Sequence, residues 1–496
     1  MPSEPVPTAT TSRARRHLRF AVIGGGMAGI LAAIKLKEAG LADFTVYEKA
    51  DRLGGTWREN TYPGLSCDVP SHLYCYSFAL NPGWSHLYSP GPEIEAYFER
   101  VAHDHGVVPH VRFGDEVTAC VFVDGRWQLT TAGGVHDEVD VVIAATGVLH
   151  HPKYPDIRGL DSFGGAVFHS ARWDHGVALD GARVGIIGTG STAMQIVSAI
   201  VDRTGKLSLF QRTAQWVMPA VNPAYTPDEQ TAFRQDPLLM EGLRDSVAQL
   251  FDHFSDGIVD SRSPEMAMIE KFCLDNLESS VSDPDLRERL RPDYRAACKR
   301  LIVSTDFYEA IQKPGAELVT DAIDGVEPGG VRTADGRLHE LDVLVLATGF
   351  KVDAFVRPIT VVGRGSVDLG QVWVDRPEAY LSISVPEFPN FFMLNGPNGP
   401  VGNFSLVEVA ELQIGYIMQL IDRLRSGGGR QISATADAMA RFESARVEAA
   451  KNTIWATGCR SWYLDDRGIP AAWPWPFRQF RSEMAEPAWE AYELRD

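Results

Sequence analysis

The chain has 496 residues, 45% of them apolar and 23% charged, and a formal net charge of −18; a globular enzyme of about three domains fits, and nucleic acid or an anionic membrane as partner does not. No apolar run reaches the ~18 uncharged residues that a membrane span needs. Six cysteines (Cys67, Cys75, Cys120, Cys273, Cys298 and Cys459) are too scattered for a zinc site, a dithiol redox centre or a disulfide scaffold, so no metal is expected and a reducing cytoplasm is the expected setting.

Residues 1–17 lack the apolar stretch of a secretory signal and read as a flexible tail. The run Phe20 to Ile23 then enters Gly24-Gly25-Gly26-Met27-Ala28-Gly29. The pattern predicts a strand over 18–23, a helix over 27–39 and a strand over 44–48 that ends on Glu48. Loop signals follow at Gly54-Gly55-Thr56-Trp57, Tyr62-Pro63-Gly64 and Asp68. Asp140 to Gly147 is apolar on both faces, as a covered parallel strand should be. Residues 151–181, rich in Pro, Gly, His and aromatics, read as a linker.

The plan then repeats. A strand over 182–187 leads into Gly188-Thr189-Gly190-Ser191-Thr192-Ala193, a helix over 191–202 and a strand over 207–211. Asp342 to Gly349 echoes the earlier closing strand down to its Ala-Thr-Gly ending. Between them, 226–298 reads as a helical insertion, with helix starts at Thr226-Pro227 and Ser282-Asp283-Pro284. Residues 385–496 hold no third glycine fingerprint and are expected to return to the first unit, with a helix over 406–425. The expected fold is α/β: two Rossmann-like dinucleotide-binding domains with a helical insertion in the second. The boundaries are 18–150 and 385–496 for the first domain, 182–225 and 299–384 for the second.

Each turn follows a strand and opens a helix, so backbone N–H groups meet a pyrophosphate there. Glu48 and Arg212 each lie 24 positions beyond the first glycine of their turn, beside the adenosine ribose. A carboxylate accepts from a free 2′-hydroxyl, whereas a guanidinium suits a 2′-phosphate. Two different dinucleotides are implied, one of them a phosphorylated nicotinamide, and hence redox chemistry.

The linker holds Phe163-Gly164-Gly165-Ala166-Val167-Phe168-His169-Ser170-Ala171-Arg172-Trp173-Asp174, which fits F-x-G-x-x-x-H-x-x-x-W-[P/D] at Phe163, Gly165, His169, Trp173 and Asp174. With Gly55-x-Trp57, Tyr62-Pro63-Gly64 and Asp68, it makes the chain resemble the Baeyer–Villiger monooxygenases, class B flavoproteins that insert oxygen beside a ketone. N- and S-hydroxylating flavin monooxygenases have a linker fingerprint without the Trp-[P/D] ending. The resemblance, which spans residue 18 to the C-terminus, implies FAD on Gly24, Gly26, Ala28, Gly29, Glu48, Gly55, Thr56, Trp57, Asp68, Tyr74 and Val117. It implies NADPH on Gly188, Thr189, Gly190, Ser191, Thr192, Gln195, Arg212, Thr213 and Lys299. Arg300 would be the catalytic arginine, oriented by Asp68, acting on a peroxide formed at flavin C4a from O2. Ser461-Trp462-Tyr463 resembles the family's mobile loop over the nicotinamide. The partners implied are a small ketone and O2, with the chain a monomer or weak homo-oligomer. His169 and Trp173 are expected to hold geometry rather than to react, and Cys67 to be a small packed side chain. A disulfide reductase, which shares the two-nucleotide plan, would need a dithiol that the spacing does not supply.

Overall fold

The computed structural model describes residues 15–402 and 404–496. Two five-stranded parallel sheets organise it. The first runs in the order Phe391–Met393, Val141–Ala144, Phe20–Ile23, Phe44–Glu48, Val111–Phe113. Its central strands, FAVI and VVIA, are buried at every position. The second runs Ala316–Val319, Lys206–Phe210, Arg183–Ile187, Val343–Leu346, Ala166–His169. The predicted strands and helices of both units are present within two residues of their expected ends, except that the closing strands stop at Ala144 and Leu346, three residues before Gly147 and Gly349, and the α/β class is as expected.

Both faces of the first sheet are covered, which is why its strands carry no polar face. Helices Met27–Glu38 and Leu406–Arg425 pack on one side. On the other lies a four-stranded sheet of Thr360–Val362, Val117–Val123, Arg126–Thr131 and His136–Val139, whose Val117, Cys120, Trp127 and Leu129 meet Ile23, Tyr47, Val142 and Phe391. The C-terminal segment returns to this sheet through Phe391–Met393, as expected. Residues 151–181 do more than link: Ala166–His169 is the edge strand of the second sheet, with His169 in register with Leu346.

Four helices fill the insertion, Pro227–Gln235, Pro237–Val259, Pro264–Ser280 and Pro284–Arg289. Each has proline at its first position, where the missing N–H costs nothing. Thr226, Asp236, Ser263 and Asp283 precede them, and each side chain accepts a first-turn N–H. The tail expectation is corrected at its inner end. The Arg16 guanidinium lies 2.8 Å from Asp140, and the Arg16 backbone N–H donates to the Arg425 carbonyl at 3.0 Å. Residues 1–14 of that tail lie outside the described residues. Among the described residues no helix is long and apolar enough to cross a membrane.

Candidate active site between the two glycine turns

The two turns are built alike. The first glycine of each takes a left-handed φ, +106° at Gly24 and +122° at Gly188. A Cβ there would sit 2.5 Å from the Ala145 carbonyl oxygen and 2.3 Å from that of Ala347. Each turn is thus wedged against the closing Ala-Thr-Gly strand of its own sheet, and only glycine fits. The helices behind them start at Gly26 and Gly190 with no side-chain cap, so the first-turn N–H groups stay open to an anion. Ser191 adds a buried hydroxyl without a partner at the start of the second helix.

The charges differ in setting. Glu48 is buried; its carboxylate accepts from Gly25 N–H at 2.7 Å, Ala50 N–H at 2.9 Å and Arg58 Nη1 at 3.0 Å. Oε1 takes two of these bonds and Oε2 one, which leaves Oε2 a lone pair for a ribose hydroxyl. Arg212 is exposed and has no carboxylate partner among the described residues. Lys299 stands near it, its ammonium 4.4 Å over the Tyr294 ring. Burial pulls the Lys299 pKa down, and the neighbouring Arg212 charge adds to this. Two facing cations of this kind fit a doubly charged phosphate. Thr189 donates to the Thr213 carbonyl at 2.9 Å and so ties the turn to the Arg212 strand end.

The remaining expected nucleotide contacts gather beside the first turn. Gly55 lies against Gly26, where a Cβ on either would be 2.8–3.3 Å from the other's Cα. Thr56 opens the short helix Thr56–Glu59, and Trp57 donates from its indole to the Tyr74 hydroxyl at 3.2 Å. Asn395 Oδ1 and Gln413 Nε2 are buried with no hydrogen-bond partner among the described residues. Buried polar atoms of this kind fit a polar flavin ring. Ala28 lies in the helix, and Val117 in the sheet packed beneath.

The two units meet where the chemistry is expected. Tyr62 donates to Gln195 Oε1 at 2.9 Å, and Gln195 Nε2 donates to the Ser66 carbonyl at 3.1 Å. Gly64 lets that loop touch the helix Ser191–Ile200: a Cβ there would be 2.5 Å from the Gln195 carbonyl oxygen. Two residues beyond Ser66, Asp68 Oδ2 accepts from Arg300 Nη2 at 2.5 Å and Nε at 3.1 Å, across 232 residues of sequence. Asp68 raises the Arg300 pKa still further, so this guanidinium is a fixed cation. Its side chain keeps 33% of its surface exposed, and Nη1 lies outside the Asp68 pair. Cys67 is buried, and desolvation and then Asp68 push its thiol up. It is a packed, protonated side chain, as expected.

The fingerprint residues hold structure. Gly165 faces the Asp342 carbonyl oxygen, which a Cβ would approach to 2.2 Å. Phe163 is buried, and Trp173 packs edge-on against Phe168 at 5.0 Å. His169 is fully buried; its Nδ1 accepts from Ala171 N–H at 3.1 Å, and burial lowers its pKa. Asp174 closes a turn by accepting from Gly176 N–H at 2.8 Å.

Two features went unread in the sequence. Arg58 looks like a loop arginine, yet it is buried between Glu48 and Glu59. No disulfide scaffold is expected from the spacing, yet one cross-link is present among the described residues: Cys298 and Cys459 are bonded across 161 residues, with their Cα atoms 6.2 Å apart. Spacing could not show this, because only the tertiary fold brings the two together.

A family profile described as flavin-binding monooxygenase-like matches residues 17–254. An uncharacterized monooxygenase of Mycobacterium tuberculosis is 47% identical over 475 residues, 96% of each chain. Among solved structures, NADP+-bound cyclohexanone monooxygenase from Rhodococcus superposes with a TM-score of 0.86 at 29% identity, over 97% of this chain and 99% of that one. Oxidized steroid monooxygenase bound to NADP gives 0.86 at 28%, over 96% and 99%. A Baeyer–Villiger monooxygenase of Streptomyces coelicolor is 40% identical over 96% of this chain and 92% of its own. With that identity sustained from one sheet to the other, the chain belongs to the Baeyer–Villiger family of flavoprotein monooxygenases.

Proposed function

We propose that the protein is an FAD-containing, NADPH- and O2-dependent monooxygenase that inserts oxygen beside a ketone carbonyl to give esters or lactones, with sulfide oxygenation as a side activity. The observation that carries this reading is the Asp68–Arg300 pair, formed at the seam between the two nucleotide units. FAD on the Glu48 turn and NADPH on the Arg212 turn supply the reducing equivalents and activate O2. Thr56, Trp57, Tyr74 and Val117 border the first cofactor; Thr189 to Gln195, Thr213 and Lys299 border the second.

Attack beside a carbonyl builds negative charge on the carbonyl oxygen. Arg300 cannot surrender its proton and so stabilises that charge electrostatically. Asp68 fixes the Nε–Nη2 edge and leaves Nη1 for the reacting oxygen. The segment Ser461-Trp462-Tyr463, with Tyr463 buried beside Arg300, keeps water from the site. The same reading assigns 18–150 and 385–496 to the FAD domain and 182–225 and 299–384 to the NADPH domain; sheet membership departs from it at Thr360–Val362, which pairs with Val117–Val123 of the first unit. Four of the six cysteines are free thiols, which suits a cytoplasmic setting.

The test is NADPH consumption against a panel of linear, cyclic, aryl and steroidal ketones, with products identified by mass. Products one oxygen heavier that hydrolyse as esters are expected. Oxygenation of amines or sulfides alone, with every ketone untouched, would overturn the reading.

A further inference from the structure

The Cys298–Cys459 bond joins two segments that matter to the reaction. Cys298 lies two residues before Arg300, and Cys459 four residues before Tyr463. Both are buried, in one apolar cluster with Leu301, Ile454, Trp455 and Tyr463. The Thr457 hydroxyl lies 3.5 Å from the Cys298 sulfur. Tyr463 packs at a tilt against Trp455 and Trp462, at 5.3 and 4.1 Å between ring centroids, and its phenol lies against the Arg300 guanidinium. A Cβ on Gly402 would fall 1.8 Å from the phenol oxygen, so a glycine there makes room for the ring.

We propose that this cross-link is a redox latch on the catalytic arginine: closed, it pins residues 457–464 to the Arg300 segment and makes Tyr463 a positioning residue; open, it lets that segment leave and admits water. The proposal rests on the reading of Arg300 above. Opening consumes a dithiol, which gives two electrons and two protons to the S–S bond and itself becomes a cyclic disulfide. Closing consumes hydrogen peroxide, which takes two electrons and two protons from the two thiols and leaves as two waters. Water entering an open site diverts reduced flavin and O2 to hydrogen peroxide. An open enzyme therefore makes the oxidant that closes its own latch.

The experiment uses the flavin-loaded enzyme purified without reductant. Thiol titration under denaturing conditions should give four thiols before reduction and six after it, with peptide mapping placing the bond at Cys298 and Cys459. Dithiothreitol should raise amide hydrogen exchange across 454–464 roughly tenfold and severalfold increase peroxide released per NADPH in the presence of ketone. Added hydrogen peroxide should restore the coupling of the reduced wild type, and should do nothing for the Cys298→Ser/Cys459→Ser variant, which behaves as open throughout. Tyr463→Phe should lose coupling with its disulfide intact, while NADPH still reduces its flavin at the wild-type rate. Six thiols in the untreated enzyme, unchanged exchange on reduction, or a double-serine variant as well coupled as the oxidised wild type would each overturn the latch. Failure of the oxidised wild type to oxygenate any ketone overturns the proposed function alone, since thiol count and exchange are read without substrate.

Discussion

The two glycine turns share one backbone solution and part company in what surrounds their charges. Glu48 is enclosed, with three N–H donors already on its carboxylate. Arg212 stands in solvent without a carboxylate partner among the described residues, near a second cation. A buried, hydrogen-bonded charge belongs to the fold and is pre-organised for a resident ligand. An exposed, unpaired charge contributes little to the fold and waits for a ligand that comes and goes. One recurring motif has thus been set to two tasks by its neighbours, and that difference can be broken at several points.

Glu48→Ala should have the largest effect. It removes one of the two carboxylates that hold the buried Arg58, leaving Glu59, and loss of a buried partner costs up to about 3–5 kcal/mol. Denaturant unfolding of the apoprotein should show that loss, and flavin content after purification should collapse. Arg212→Ala is the control, with unfolding expected within about 0.5 kcal/mol of wild type. Equal losses in the two variants would break the comparison.

Arg300→Ala addresses the seam rather than either turn. Loss of an electrostatic donor to a developing oxyanion should lower ketone oxygenation by about 10²–10³-fold. Flavin reduction by NADPH, followed by stopped-flow absorbance, should change little, because both turns remain. Parallel loss of both rates would place Arg300 in cofactor binding instead.

Arg212→Ala should act on the second cofactor alone. A charge-assisted contact to phosphate contributes about 1.5–3 kcal/mol, so the NADPH-over-NADH ratio of kcat/KM should fall roughly 10–100-fold. The loss should lie in KM, with kcat nearly kept, and Lys299 should retain a residual preference. An unchanged ratio would remove the 2′-phosphate assignment.

These contrasts show what a sequence of this kind exposes. The turns, both closing strands and the proline-started helices at Thr226 and Asp283 were legible, because each rests on local rules of period and capping. The Asp68–Arg300 pair was reachable only by resemblance, since its partners are 232 residues apart. Arg58 was illegible because a buried and a solvated loop arginine look the same until Glu48 and Glu59 are placed around one of them. Ala166–His169 was hidden by the glycines and histidine that give its stretch a loop composition, although Val343–Leu346 recruits it as an edge strand. The disulfide failed for the same reason as the ion pair: proximity across 161 residues is a property of the fold.

The smallest expected effect is the one that separates the two turns without any mutation. Exposed charges are screened once the ionic strength shortens the Debye length below their separation from the ligand, whereas buried charges are screened much less. Raising salt from ~0.05 to ~0.5 M should therefore raise the KM for NADPH by roughly threefold, with kcat steady. The flavin fraction retained through the same change should not move, because Glu48 is buried out of contact with solvent ions. Arg212→Ala should flatten most of the salt dependence, leaving a remainder from Lys299. A salt-dependent flavin loss in the wild type would mean that the first turn is as open as the second, and that burial of Glu48 does not set its task.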